Sequence, residues 1–199
     1  MSRRTIRGLL ALCLVMAGLC GCGKEETAVD TTTIFVNKDG SITNAMVESF
    51  DKAYYDAAGL QAMVNEEIAH YNSVSGSDKN AVLKQFAVEN GMARVFIDFA
   101  AYGDYASFNG EDFFYGTVGE AYDAGYSFDV TLKEVDGDNI ISKPELLEKG
   151  KNHIVIVSAP VQVVTYKKIL YTGANVELID SKTAKISGES EGPAYIVFK

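Results

Sequence analysis

The pattern of apolar and polar residues along the chain predicts two β-hairpins. Residues 33–37 and 41–50 read as strands joined at Lys38-Asp39-Gly40, because Asp-Gly accepts the positive φ of a tight turn. Residues 81–99 predict a second, longer hairpin around Asn90-Gly91, a type I′ turn signal. A two-residue loop sets the register of this hairpin, which gives it one almost wholly apolar face. The pairs expected on that face are Val88–Ala93, Phe86–Val95, Lys84–Ile97 and Val82–Phe99.

Helical spacing appears in two longer segments. Asp56 is a candidate N-cap for a helix that runs to about Tyr71, with apolar residues at positions 60, 63, 64, 68 and 71. Residues 112–124 have apolar positions at similar spacing and predict a second helix, although Gly116 and Gly119 lie inside it. A capping box, Ser142-Lys-Pro-Glu145, opens a short third helix that Gly150 ends.

The last third of the chain is rich in short β-type segments. The predicted strands cover residues 128–135, 154–158, 161–166, 168–171, 176–179, 183–186 and 195–198. The pattern therefore predicts a single α+β domain over residues 33–199, a mostly antiparallel β-sheet with two main helices and one short helix packed on it.

The first 22 residues have a different character. Arg3, Arg4 and Arg7 precede an uncharged apolar stretch of about fifteen residues, shorter than the roughly 20 that a spanning helix needs. The stretch closes on Leu19-Cys20-Gly21-Cys22, with leucine at −3 and small residues at −2 and −1 if Cys22 is the acceptor. This arrangement is typical of a signal h-region followed by a processing site.

Residues 1–22 resemble the signal pattern of bacterial lipoproteins, and the domain that follows is similar to those of small members of that class. The resemblance implies that 1–21 is a cleaved signal peptide and that Cys22 carries a diacylglyceryl anchor. Residues 22–32 would then be the acylated cysteine and a flexible tether, and the chain would sit on the cell membrane facing outside the cytoplasm. Because the other two cysteines are Cys13 and Cys20, the processed protein would have no disulfide.

The charge of the chain argues against one class of partner. Loss of Arg3, Arg4 and Arg7 leaves 15 of the 18 basic residues against 27 acidic ones, a formal charge near −12. Nucleic-acid binding needs a basic stripe that neutralises phosphates, so no nucleic-acid partner is expected.

A ligand surface is one interpretation of an aromatic and acidic passage from residue 102 to residue 126. No lysine or arginine occurs in it, and tyrosine rings beside carboxylates suit a glycan or a cationic ligand. The alternative is core packing of the same rings. The candidate ligand-binding residues are Tyr102, Asp104, Tyr105, Glu111, Asp112 and Tyr115.

Glu67 falls inside the apolar stripe of the first predicted helix, where a buried charge would need a partner. Arg94, the one arginine that remains after processing, is the predicted structural partner. No metal or cofactor is predicted, because the single Glu-x-x-His pair of Glu67 and His70 has no further ligands around it.

Catalytic motifs are weak in this chain. It has two histidines and neither a nucleophile elbow nor a phosphate loop. After processing and acylation at Cys22, no cysteine would be free to act as a nucleophile. The favoured hypothesis is a lipid-anchored extracytoplasmic binding module that engages an envelope protein or a glycan. A small cell-wall hydrolase that uses acidic residues, and a structural lipoprotein, remain alternatives. A cleft with two facing carboxylates would favour the hydrolase, and an exposed aromatic patch would favour binding.

Overall fold

The computed structural model describes residues 29–137, 139–188 and 192–199. The predicted signal peptide and Cys22 lie outside the described residues. The elements are, in chain order, β1 (Thr33–Val36), β2 (Ile42–Ser49), α1 (Ala57–Ser75), β3 (Ala81–Glu89), β4 (Met92–Phe99), α2 (Tyr102–Asn109), β5 (Phe113–Thr117), α3 (Val118–Asp123), β6 (Leu132–Glu134), β7 (Ile140–Ile141), α4 (Lys143–Glu148), β8 (His153–Val157), β9 (Gln162–Thr165), β10 (Ile169–Gly173), β11 (Val176–Asp180), β12 (Thr183–Ile186) and β13 (Ala194–Phe198).

These strands form two sheets rather than the one predicted. Sheet A has seven strands in the order β11-β12-β9-β1-β2-β4-β3, and its one parallel pair is β1 with β9. Sheet B has six antiparallel strands in the order β5-β8-β13-β10-β6-β7. The α+β class is confirmed, and the sheets are mixed only at that one pair.

The main core lies between the two sheets. Residues such as Ile34 and Ile97 of sheet A share one buried cluster with Val155 and Ile196 of sheet B. The other face of sheet B packs against α3 and α4, and the other face of sheet A carries a smaller cluster around Phe96. Helix α1 packs against edge strand β3, and α2 packs mainly against edge strand β5. Of the predicted helices, α4 and the helical part of the second, α3, therefore pack on a sheet face as predicted, whereas α1 lies against edge strand β3 with Ile68 in the main core.

The long hairpin has the predicted turn and part of the predicted register. Asn90 and Gly91 both have positive φ, 53° and 73°, as a type I′ turn requires. The observed pairs are Val88–Ala93, Phe86–Val95, Leu83–Ile97 and Ala81–Phe99. An irregularity between Leu83 and Gln85 shifts the register by one, so the two predicted pairs that involve Lys84 and Val82 are wrong. The shift keeps a lysine out of the main core, because it places Leu83 on the inner face instead.

Helices α1 and α4 confirm their predicted capping signals. The Asp56 carboxylate accepts a hydrogen bond from the Ala58 N–H, and α1 ends at Gly76 in the left-handed conformation. At α4, the Ser142 N–H and hydroxyl both donate to the Glu145 carboxylate, at 2.9 and 2.7 Å.

The predicted helix over 112–124 is wrong in its first half. Residues Phe113–Thr117 form strand β5, and only Val118–Asp123 are helical. The reason is that sheet B is buried on both faces: Phe113 packs into the core between the sheets and Phe114 into the cluster beneath α3. A strand with two apolar faces has no polar alternation, so its sequence can be mistaken for a helix. Helix α2, in turn, forms where no helix was predicted.

Sheet A has two distinct ends, called here the tether end, after the tether predicted to precede the described residues, and the far end. At the tether end, the described chain begins: the Arg94 guanidinium donates to the Val29 carbonyl at 3.1 Å and to the Asp30 carboxylate at 2.9 Å. The Asn90-Gly91 turn and the segment 50–55 lie at this same end, since the Phe50 N–H donates to the Gly91 carbonyl. At the far end are the β1–β2 turn and the start of β3.

Helix α1 connects the two ends, with Asp56 at the tether end and Gly76 just before β3. Its 19 residues rise about 1.5 Å each, which gives a separation of about 28 Å. Residues 29–32, predicted as the last part of the tether, are hydrogen-bonded to sheet A, for example through the Thr32 hydroxyl, which accepts from the Val47 N–H at 3.1 Å.

Candidate ligand-binding surfaces

The rings of the predicted aromatic and acidic passage pack mostly into the core. Tyr105 is 2% exposed and makes edge contacts with Phe99 and Phe113, at centroid distances of 5.6 and 4.8 Å. Tyr102 is half-buried against Phe114. These contacts match the core-packing alternative for the rings.

Two carboxylates of the same passage accept hydrogen bonds from tyrosine hydroxyls. The Tyr71 hydroxyl donates to Asp104 at 2.9 Å, and the Tyr105 hydroxyl donates to Glu111 at 2.8 Å. Burial first, and then the hydrogen bond to Glu111, raises the pKa of Tyr105 far above its usual value. Asp112 is exposed. The structure therefore uses Asp104 and Glu111 to satisfy tyrosine hydroxyls and does not gather the six candidates into one ligand site.

Tyr115 belongs to a separate ring cluster beside His153. Its hydroxyl lies 3.4 Å from His153 Nδ1, and the His153 ring stacks on Phe198 at a centroid distance of 5.4 Å. Burial, with a smaller contribution from nearby Lys167, lowers the pKa of His153 below its usual value of 6.5. Through its ring contacts with Phe198 and Tyr166, His153 is a packing element of sheet B.

The predicted pair of Glu67 and Arg94 is not formed. Arg94 binds Asp30 instead, and Glu67 is exposed on α1. The physical reason is the alternation of β4: Val95 points into the core that α1 also reaches through Ile68, so Arg94 lies on the opposite face of sheet A. A charge on α1 cannot reach that face.

A pocket of about 470 Å³ beside α4 brings together three carboxylates, those of Glu134, Glu145 and Glu148. Glu145 is engaged in the cap of α4, and its hydrogen bonds with the Ser142 hydroxyl and N–H lower its pKa. Glu134 accepts from the Asn139 amide at 3.0 Å. A glycosidase acid needs a carboxyl with a raised pKa, so Glu145 is unsuited to that role.

An open groove of about 630 Å³ lies at the far end, between the C-terminal half of α1 and the loop that leads to β3. Its floor includes Ile68, which is 8% exposed. Asn72 fixes the loop, since its amide donates to the Ala81 carbonyl at 2.8 Å and accepts from the Ala81 N–H at 2.9 Å. The groove is lined by Asn65, Ile68, Ala69, Asn72, Ser73, Gly76, Ser77 and Asp78. Amide, hydroxyl and carboxylate groups thus surround an apolar floor.

A second exposed feature lies at the tether end and is called here the tyrosine surface: Phe50, Tyr54 and Tyr55. Tyr54 is 79% exposed and Tyr55 is 42% exposed. The rings support one another, with centroid distances of 4.7 Å between Phe50 and Tyr55 and 5.0 Å between the two tyrosines. The rings thus form one contiguous aromatic group on the surface of the domain.

Sequence reasoning missed both the groove and the tyrosine surface. The groove arises where the end of α1 meets the start of β3, and no motif marks such a meeting. The Tyr54-Tyr55 pair did carry a signal, because it stands directly before the Asp56 N-cap and outside the apolar stripe of the helix that follows.

The described residues contain neither a membrane-spanning helix nor a cluster of metal ligands. No helix within 29–137, 139–188 and 192–199 is both long and apolar enough to cross a bilayer. In the same ranges, no group of three or more His, Cys, Asp or Glu side chains is placed to hold a metal ion.

Comparison with known proteins adds no relative from which a role can be carried over. No family model, no curated protein and no solved structure matches this chain.

Proposed function

We propose that the protein is a lipid-anchored extracytoplasmic binding module of a bacterial cell envelope, held on the cell membrane through a diacylglyceryl group on Cys22. The groove at the far end carries this proposal. Its lining begins at Asn65, about 12 Å along α1 from Ala57, and continues past the far end of the helix at about 28 Å, so the groove lies on the half of the domain remote from the tether end.

The chemistry of the groove suits a partner that presents hydroxyl and amide groups. Asn65, Ser73 and Asp78 supply donors and acceptors beside an apolar floor, the mixture that a wall glycan or a polar protein segment would engage. The acidic balance of the chain gives no support to a nucleic-acid partner.

A groove-blocking variant tests this role. Ser73→Arg adds a long side chain to the groove, and Gln61→Arg adds the same charge to an exposed position of α1 outside it. Full-length protein and both variants would be solubilised from membranes, cross-linked to their neighbours and titrated with soluble cell-wall glycan fragments.

The proposal predicts that a partner or a glycan is retained by the unmodified protein and by Gln61→Arg, and is lost in Ser73→Arg. Recovery of the protein alone, with no glycan binding, would contradict a binding function and leave a structural lipoprotein as the better description.

The hydrolase alternative depends on the pocket of Glu134, Glu145 and Glu148. A Glu148→Gln variant tests it directly. If intact protein releases sugar from wall glycan and the variant does not, the enzyme hypothesis replaces the binding module.

A further inference from the structure

We propose that the tyrosine surface contacts the head-group interface of the bilayer and orients the domain with its groove outward. This inference rests on the proposed lipid anchor at Cys22 and names the second partner of the anchored domain, a lipid surface.

The position of the tether carries the first step. Arg94 holds Val29 and Asp30 against sheet A at the tether end, so the domain begins there. Only six residues lie between Cys22 and Val29, and the seven Cα–Cα steps from one to the other span at most about 25 Å when fully extended. The tether end of the domain is therefore held within about 25 Å of the anchored cysteine, whereas the far end of α1 lies a helix length of about 28 Å beyond it.

The chemistry of the rings carries the second step. Tyrosine has an apolar ring and a polar hydroxyl, which suits the boundary between acyl chains and head groups. Tyr54 projects furthest, with 79% of its surface exposed, and Phe50 and Tyr55 pack behind it. Together they present aromatic surface on the side of the domain that the tether brings toward lipid.

The charges around the tyrosine surface set the kind of contact. Acidic groups outnumber basic ones there: the carboxylates are those of Asp30, Glu48, Asp51, Asp56 and Glu89, and the cations are Lys52 and Arg94. Attraction to anionic lipid cannot be the driving force, so the contact depends on ring burial. Salt should therefore strengthen the contact on anionic vesicles, because it screens repulsion between like charges.

The absence of tryptophan from the sequence allows a sharp experiment. Tyr54→Trp places a single indole on the tyrosine surface, and Val74→Trp places one near the far end at nearly equal exposure, 79% against 75%. The full lipidated protein would be reconstituted into phosphatidylcholine vesicles with or without brominated acyl chains, which quench indole fluorescence on contact.

The expected result is strong quenching of Tyr54→Trp and unchanged emission from Val74→Trp. Equal quenching of the two reporters, or none in either, would overturn the proposed orientation. A second pair of variants tests the native tyrosines. Phe50→Trp should be quenched, and this reporter should no longer be quenched when Tyr54→Ser and Tyr55→Ser are added to the same chain.

Failure of this inference can be distinguished from failure of the anchor. Membrane fractionation of Cys22→Ser reports on the anchor alone. If that variant leaves the membrane while Tyr54→Trp in the anchored protein remains unquenched, the anchor stands and the contact of the tyrosine surface with lipid is rejected.

Discussion

Valine substitutions at two neighbouring residues, Asn44 and Thr43, should change the free energy of unfolding in opposite directions. Asn44 is 4% exposed, and it lies opposite Ile34 on β1 and Ile97 on β4. Its Oδ1 has no hydrogen-bond partner among the described residues. A buried acceptor without a partner costs about 1–3 kcal/mol. Asn44→Val removes that acceptor and supplies a β-branched side chain that suits a strand, so we expect a gain of about 1–2 kcal/mol.

Thr43 is the matched control, because it is the adjacent residue and is fully buried with its hydroxyl satisfied. The hydroxyl donates to Asp98 at 2.6 Å and accepts from the Asn37 amide at 3.1 Å. Thr43→Val should therefore cost about 1–3 kcal/mol, since a bond to a charged group is lost.

Urea titration followed by circular dichroism measures both changes. At an unchanged slope, the midpoint should rise for Asn44→Val and fall for Thr43→Val. A lower midpoint for Asn44→Val would refute the reasoning, because it would mean that the amide makes a net favourable contribution where it lies.

Three further predictions concern His153, the residues Arg94 and Glu67 of the expected ion pair, and Tyr105. Because the pKa of His153 is lowered in the folded protein, its contribution to stability is present above pH 6.5 and is lost as the pH falls through the folded value. Between about pH 7 and pH 5, the free energy of unfolding of His153→Phe should therefore fall less than that of the unmodified protein. Urea titrations at each pH measure both values, and His70→Gln, at an exposed histidine, is the control. Arg94→Met and Glu67→Gln should have additive effects on unfolding free energy within about 0.5 kcal/mol, because Arg94 lies on the face of sheet A opposite the core that α1 contacts and pairs with Asp30; a larger coupling energy would support the predicted Glu67–Arg94 pair. Tyr105→Phe should cost about 1–2 kcal/mol in thermal unfolding, with no effect on partner retention in the cross-linking experiment, since its hydroxyl donates to the Glu111 carboxylate within the domain.

The turns and caps were predictable because their chemistry is local. Asn90-Gly91 determines its own turn type, Asp56 caps the helix that follows it, and Ser142 with Glu145 forms a capping box within four residues. None of these features depends on how distant parts of the chain meet.

The features that escaped prediction all depend on distant contacts. The register shift near Lys84 is favoured because it places Leu83 in the core, and sequence pattern shows only that a lysine would otherwise lie there. Strand β5 looks helical until sheet B is known to be buried on both faces. The partner of Arg94 depends on which face of sheet A the start of the domain crosses.

The candidate site was harder to predict than the fold for a related reason. Rings and carboxylates in one stretch of sequence, such as Tyr105 and Glu111, satisfy one another in the folded protein. Tyr54 and Tyr55 remain exposed because their segment lies outside both sheets, which composition alone does not indicate.

Cys22 is proposed to carry the anchor that holds the domain on the membrane. The measurement that tests this proposal is membrane fractionation of the protein produced in a bacterial host, combined with mass spectrometry of its N-terminal peptide, for the unmodified chain, Cys22→Ser and Cys20→Ser. We expect the unmodified chain and Cys20→Ser to begin at a diacylglyceryl-modified Cys22 and to sediment with membranes, and we expect Cys22→Ser to lack the modification and to be released. Membrane retention of an unmodified Cys22, or a lipid on Cys20 in its place, would contradict the proposal.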